Sequence, residues 1–131
     1  MSLPITTVLV SAISLLLLVL SSKVVEARRS EKVSLGDGGN EKLLRRQRGM
    51  ANLVEYAPFA LIMCGLAELQ GGNQWGLAII AAIFFIGRVA HGYSMGFTDG
   101  FVPGRYYGTI ATFAAILILA LYNLFLVFAN L

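Results

Sequence analysis

Charge is scarce in this chain. Only 13% of its 131 residues are Asp, Glu, Lys or Arg, about half the share of an ordinary soluble domain, and this excludes a protein held in solution by a charged surface. Cysteine is scarcer still: Cys64 stands alone in an apolar run. No disulfide framework or zinc site can be built from it, and it is expected to be a small buried hydrophobe. There is also no internal repeat and no low-complexity tract, which argues against a transporter assembled from repeated halves. The basic residues lack interleaved aromatic platforms, so nothing in the sequence points to a nucleic-acid partner.

What is abundant is apolar surface. Hydrophobic residues make up 57% of the chain, gathered into four runs at Leu3–Ser22, Met50–Leu69, Trp75–Met95 and Tyr106–Ala129. Each has about the 20 residues needed to cross a hydrocarbon core as a helix. The expected fold is an all-α membrane protein, a four-transmembrane-helix bundle forming one domain over residues 1–131. The first run is expected to be retained as a span. It has no basic residue ahead of it, exceeds the usual 7–15-residue core of a secretory leader, and is not followed by a convincing small-residue cleavage site.

The ten Lys and Arg residues are unevenly placed. Lys23, Arg28, Arg29, Lys32, Lys42, Arg45, Arg46 and Arg48 fall in the first connection, Arg88 and Arg105 lie near the third, and "ELQGGNQ" in the second carries none. By the positive-inside rule the first and third connections face the cytoplasm and both termini face the other side. The first connection is itself punctuated by "GDGG" at Gly36–Gly39, a turn signal because glycine tolerates positive φ and aspartate bonds to nearby backbone. The first helix is expected to run on through "VVEARRSEKV", and the second to start beyond the turn with Asn40 as its N-cap.

Polar residues inside the spans carry the functional signal. Arg48, Asn52 and Glu55 are spaced i, i+4, i+7 and share one helix face. Ionisable groups in spans face a bundle interior or a wet cavity, so this face is expected to point inward. The third span adds Arg88 and His91 in "GRVAHGY", and "PGRYYG" puts Arg105 at the start of the fourth. One glutamate cannot neutralise these arginines together with Arg28 and Arg29, so the cavity is expected to attract an anion. Taken singly, Arg48 and Arg105 also read as interfacial anchors, His91 as a packing residue, and Glu55 as an ion-pair partner of Arg48 or Arg88. Gly104, Gly108, Thr112 and Ala115 form a small-residue stripe suited to close helix packing, and Pro58 deprives the second helix of one backbone donor.

The segments "EARRSEKVS", "GDGG", "RGMANLVEYAP" and "GRVAHGY" together resemble the membrane-associated proteins in eicosanoid and glutathione metabolism, the MAPEG family, and are most similar to its bacterial inner-membrane branch. The resemblance implies a homotrimer that binds glutathione as co-substrate between neighbouring subunits near the cytoplasmic face. It implies a glutathione transferase with peroxidase activity as an extension, acting on a lipophilic electrophile that enters from the lipid bilayer. On this resemblance Arg28, Arg29, Arg48, Asn52, Glu55, Tyr56, Arg88 and His91 are glutathione contacts, and Arg105 is the catalytic residue that activates the thiol. The family's enzymes often carry a tyrosine one turn after the His91 position, where this chain has Met95. That difference favours the alternative of a non-catalytic family member that keeps the fold and a binding site.

Overall fold

The computed structural model describes residues 2–131. Four helices follow one another along the chain: α1 (Pro4–Glu31), α2 (Glu41–Leu69), α3 (Gln74–Phe97) and α4 (Val102–Ala129). All four are long and apolar enough to cross a membrane. The 28 residues of α1 extend roughly 42 Å at 1.5 Å per residue, so α1 outruns a hydrocarbon core of about 30 Å. Its polar last turns therefore belong to the membrane surface, as does the start of α2.

The connection between α1 and α2 follows its turn residues. Gly36, Gly38 and Gly39 all take positive φ, and the Gly39 N–H donates to Asp37 Oδ1 at 2.9 Å. The Asn40 side chain then accepts from Leu43 N at 2.9 Å, capping α2 in the ordinary N-cap manner. Pro58 lies inside α2, which continues through it.

Among the described residues, α2 and α3 each pack against all the other helices, whereas α1 and α4 do not meet. The bundle is thus a rhombus with α2 and α3 on its short diagonal. Leu53, Ala57, Ala60, Cys64 and Ala67 of α2 share the core with Leu77, Ala81 and Phe84 of α3. Leu9, Ile13 and Leu20 close it from α1, and Ala115 and Leu119 from α4. Cys64 is buried and free, a packing group as expected. Large apolar side chains such as Leu18, Phe59, Ile86, Leu117 and Phe125 remain exposed around the outside, the surface a bilayer would cover.

Small residues set the closest approach. A Cβ on Gly108 would lie 2.6 Å from Gly87 O and 2.9 Å from His91 Cβ, and one on Gly87 would lie 2.8 Å from Ala111 Cβ. The small-residue stripe of α4 is therefore its contact with α3, and Thr112 and Ala115 are buried along it. At the opposite end of the bundle from the basic connection, the first residues of α1 have no local side-chain cap. Glu68, from the last turn of α2, takes that role: its carboxylate accepts from Ile5 N at 3.0 Å and Thr6 N at 2.8 Å. Tyr122 Oη accepts from Asn73 N at 2.7 Å, fastening the connection between α2 and α3 to α4.

Candidate functional site

The polar groups of the spans meet where α2, α3 and α4 converge. Arg88 is 1% exposed, and a buried guanidinium must be met by acceptors to be tolerated. Its Nη1 donates to Asn52 Oδ1 at 2.5 Å and its Nη2 to the Gly108 carbonyl at 3.2 Å. Nε has no partner among the described residues. The Gly108 carbonyl also accepts from Thr112 Oγ1 at 2.8 Å. Gly108 thus does two things: its missing side chain lets α3 approach, and its oxygen meets the cation that arrives there.

One turn along α3, His91 is also buried. It opens onto a cleft of about 280 Å³ lined by Arg48, Asn52, His91, Met95 and Arg105. Two arginines, an amide and an imidazole around one small cavity make it suited to an anion, since guanidinium groups grip carboxylates through paired hydrogen bonds. Two larger cavities, of about 500 Å³ each, are almost wholly apolar and hold no comparable set of donors. Gly49 admits Met95 to the cleft wall: a Cβ there would lie 2.6 Å from Met95 Cβ.

The face carrying Arg48, Asn52 and Glu55 does not point into the protomer as expected. The inward stripe of α2 is Gly49, Leu53, Ala57 and Ala60, and the polar residues occupy the adjoining stripe. Asn52 reaches inward to Arg88, but the Arg48 and Glu55 side chains are 59% and 52% exposed on the outer edge. Their charged atoms stand 3.9 Å apart, so the Arg48 to Glu55 pair exists, whereas Arg88 is bonded to Asn52 instead of Glu55. Glu55 and Tyr56 line a separate groove between α2 and α4 with Phe59, Met63 and Phe113, and the Tyr56 and Phe113 rings lie 5.4 Å apart.

Arg105 is exposed at the start of α4 and reaches the cleft. Arg28 and Arg29 are not brought to it within one protomer. The reason is the placement of α1, which packs on the other flank of α3: Leu20 sits against Gly92 and Gly96, while His91 and Met95 turn toward α2 and α4. Arg28 instead donates to the carbonyls of Val33, Ser34 and Gly36 at 3.5, 3.3 and 3.0 Å, tying down the turn after α1. Sequence reasoning missed Gly49 as a site residue, and it read Gly108 only as packing. The available signal was a glycine within a helix beside a charged residue, which marks a close approach.

Four membrane-length apolar helices, three of which converge on a cleft of two arginines, an amide and an imidazole, define a helical membrane protein with a basic polar cleft in its bundle. The chain belongs to the MAPEG family, whose model matches residues 6–125. It is 35% identical over 111 residues to the inner membrane protein YecN of Escherichia coli (strain K12), covering 85% of this chain and 83% of that protein. YecN of Escherichia coli O6:H1 (strain CFT073) is similar to the same degree and over the same shares of both chains.

Proposed function

We propose that the protein is a multi-pass inner-membrane enzyme that binds glutathione in the Arg48, Asn52, His91 and Arg105 cleft and activates its thiol for attack on lipophilic electrophiles. The observation that carries this reading is the cleft itself, with two guanidinium groups and no carboxylate in its lining. Family membership supports it. Glutathione brings two carboxylates and one ammonium. Arg48 complements a carboxylate, Arg105 is left to face the thiolate, and Glu55, 3.9 Å from Arg48, offers its carboxylate to the ammonium. Arg88 does not bind ligand in this scheme; it holds Asn52 in position. The basic connection faces the cytoplasm, from which glutathione enters.

The chemistry asked of the chain is modest. A free thiol has a pKa of roughly 8.5, and lowering it by about two units needs about 2.7 kcal/mol of preferential thiolate stabilisation. A guanidinium in a partly dry cleft supplies that order of energy. The thiol proton passes to solvent, the thiolate sulfur forms a bond to the electrophilic carbon, and the leaving group departs with the bonding pair. With a lipid hydroperoxide, two glutathione molecules yield the alcohol, water and glutathione disulfide. The fully enclosed geometry expected of such a site requires a neighbouring protomer against the outer edge of α2, which agrees with a homotrimer.

Calorimetry on detergent-purified protein tests the reading. Glutathione is expected to bind the wild type, with affinity weakened about tenfold or more in Arg48→Ala, since a hydrogen bond to a charged group contributes roughly 1.5–3 kcal/mol. Glu55→Gln is expected to weaken binding as well. Arg105→Ala is expected to keep binding within a few-fold while losing thiolate absorbance and turnover against a panel of electrophiles. A folded wild type that binds no glutathione refutes the reading. Binding without thiolate or turnover instead supports a non-catalytic family member, the reading favoured by Met95 filling the wall beside His91.

A further inference from the structure

The basic residues of the first connection are mostly neutralised by their neighbours. Lys23 and Arg46 meet Glu26, Lys42 meets Glu31, Arg45 meets Asp99, and Arg48 meets Glu55. Arg28 is held by three backbone carbonyls. Arg29 and Lys32 are the exceptions: both are exposed, and neither has a carboxylate within ion-pair distance among the described residues. They flank a notch of about 340 Å³ whose other walls are Val25, Arg28, Val33 and Ser34.

Two local features fix the shape of the notch. Lys32 caps α1 in the left-handed conformation, at φ 55°, a region that a side-chain-bearing residue enters at a cost and that glycine enters freely. Lys32 occupies that cap all the same, and it lines the notch together with Arg29. Arg28 also pins the carbonyls on both sides of Leu35, whose side chain is 86% exposed. Two unpaired cations, two valines and a presented leucine thus stand together at the membrane-surface end of α1.

We propose that this notch binds the headgroup of an anionic phospholipid, the phosphate on Arg29 and Lys32 and the upper acyl chain along Val25. Within one protomer the notch shares no residue with the glutathione cleft, and the proposal takes Arg29 for lipid in place of the glutathione contact that the resemblance implies. Phospholipid is favoured over a free phosphate because Val25, a large apolar residue 47% exposed, continues from the notch along the helix that enters the bilayer. A soluble anion has no use for that wall.

The test is native mass spectrometry of the full-length protein in neutral detergent with phosphatidylglycerol or phosphatidylcholine of matched chains. Wild type is expected to retain phosphatidylglycerol at least tenfold better. Each basic residue removed is expected to reduce that preference about fivefold, so Lys32→Gly lowers it and Arg29→Gln with Lys32→Gly nearly abolishes it. Lys32→Gly keeps or raises the melting temperature, because glycine relieves the cap, and this separates lost lipid from lost fold. Equal retention of the two lipids, or a wild-type preference surviving in the double variant, overturns the proposal. Displacement by glycerol 3-phosphate at matched concentration also overturns it, in favour of a site for free phosphate.

Discussion

The Arg88 guanidinium is enclosed by protein and has two acceptors, one from a side chain and one from the backbone. Removing one acceptor leaves a buried charge short of partners, which is more damaging than removing the charge together with its partner. Asn52→Leu is therefore expected to destabilise the protein by about 1–3 kcal/mol in reversible unfolding in detergent. Asn52→Leu combined with Arg88→Met is expected to recover part of that loss; no recovery would mean that Asn52 matters for packing alone. At this scale the sequence was informative about residue type and spacing. The Arg48, Asn52 and Glu55 repeat was visible, and the Arg48 to Glu55 pair is present. The partner of Arg88 was not visible, because it depends on the rotation of α2 about its axis and on a glycine carbonyl that any residue would also possess.

A helix that approaches another through glycine tolerates little added volume. Gly108→Ala puts a methyl group against Gly87 O and His91, neither of which is the free end of a flexible side chain. Overpacking of this kind costs about 1–3 kcal/mol, and here it also displaces His91 and the acceptor of Arg88. Lower thermal stability and weaker glutathione binding are expected together. Gly76, at the start of α3, is the control: its added Cβ would meet nothing nearer than 3.5 Å. Gly76→Ala should leave stability unchanged or raise it by up to about 1 kcal/mol through helix propensity. Glu68→Ala removes the carboxylate that caps α1 and should cost about 0.5–2 kcal/mol, read as loosened hydrogen exchange in the first turn of α1. The number of helices, the turn at Gly36–Gly39 and the Asn40 cap were legible because local chemistry decides them. The Glu68 cap was not, since it joins residues more than sixty positions apart.

For the molecule as a whole, the decisive fact is where charge remains uncovered. Arg48 and Glu55 are more than half exposed on the outer edge of α2, and the apolar run that contains Glu55 places that carboxylate within the span. An ionisable side chain facing lipid costs about 2.5–3.5 kcal/mol at the centre of a bilayer on insertion scales and less toward the surface. Glu55 lies in the first third of its apolar run, so its cost is a fraction of that. An ion pair 3.9 Å long offsets little of that, since a bond to a charge needs close geometry to be strong. An isolated protomer in lipid is therefore disfavoured, and the surface holding Arg48, Glu55 and Arg105 should be covered by another protein surface. A second copy is the economical cover, and the MAPEG resemblance sets the expected number at three. Native mass spectrometry in mild detergent is expected to give a trimer, and a cysteine introduced at Glu55 is expected to react with a water-soluble maleimide more slowly in the trimer, and more slowly still with glutathione bound, than after dissociation. A stable monomer with an accessible Glu55→Cys thiol would show that the polar edge of α2 faces water or lipid alone, and the cleft would then be a site complete within one chain.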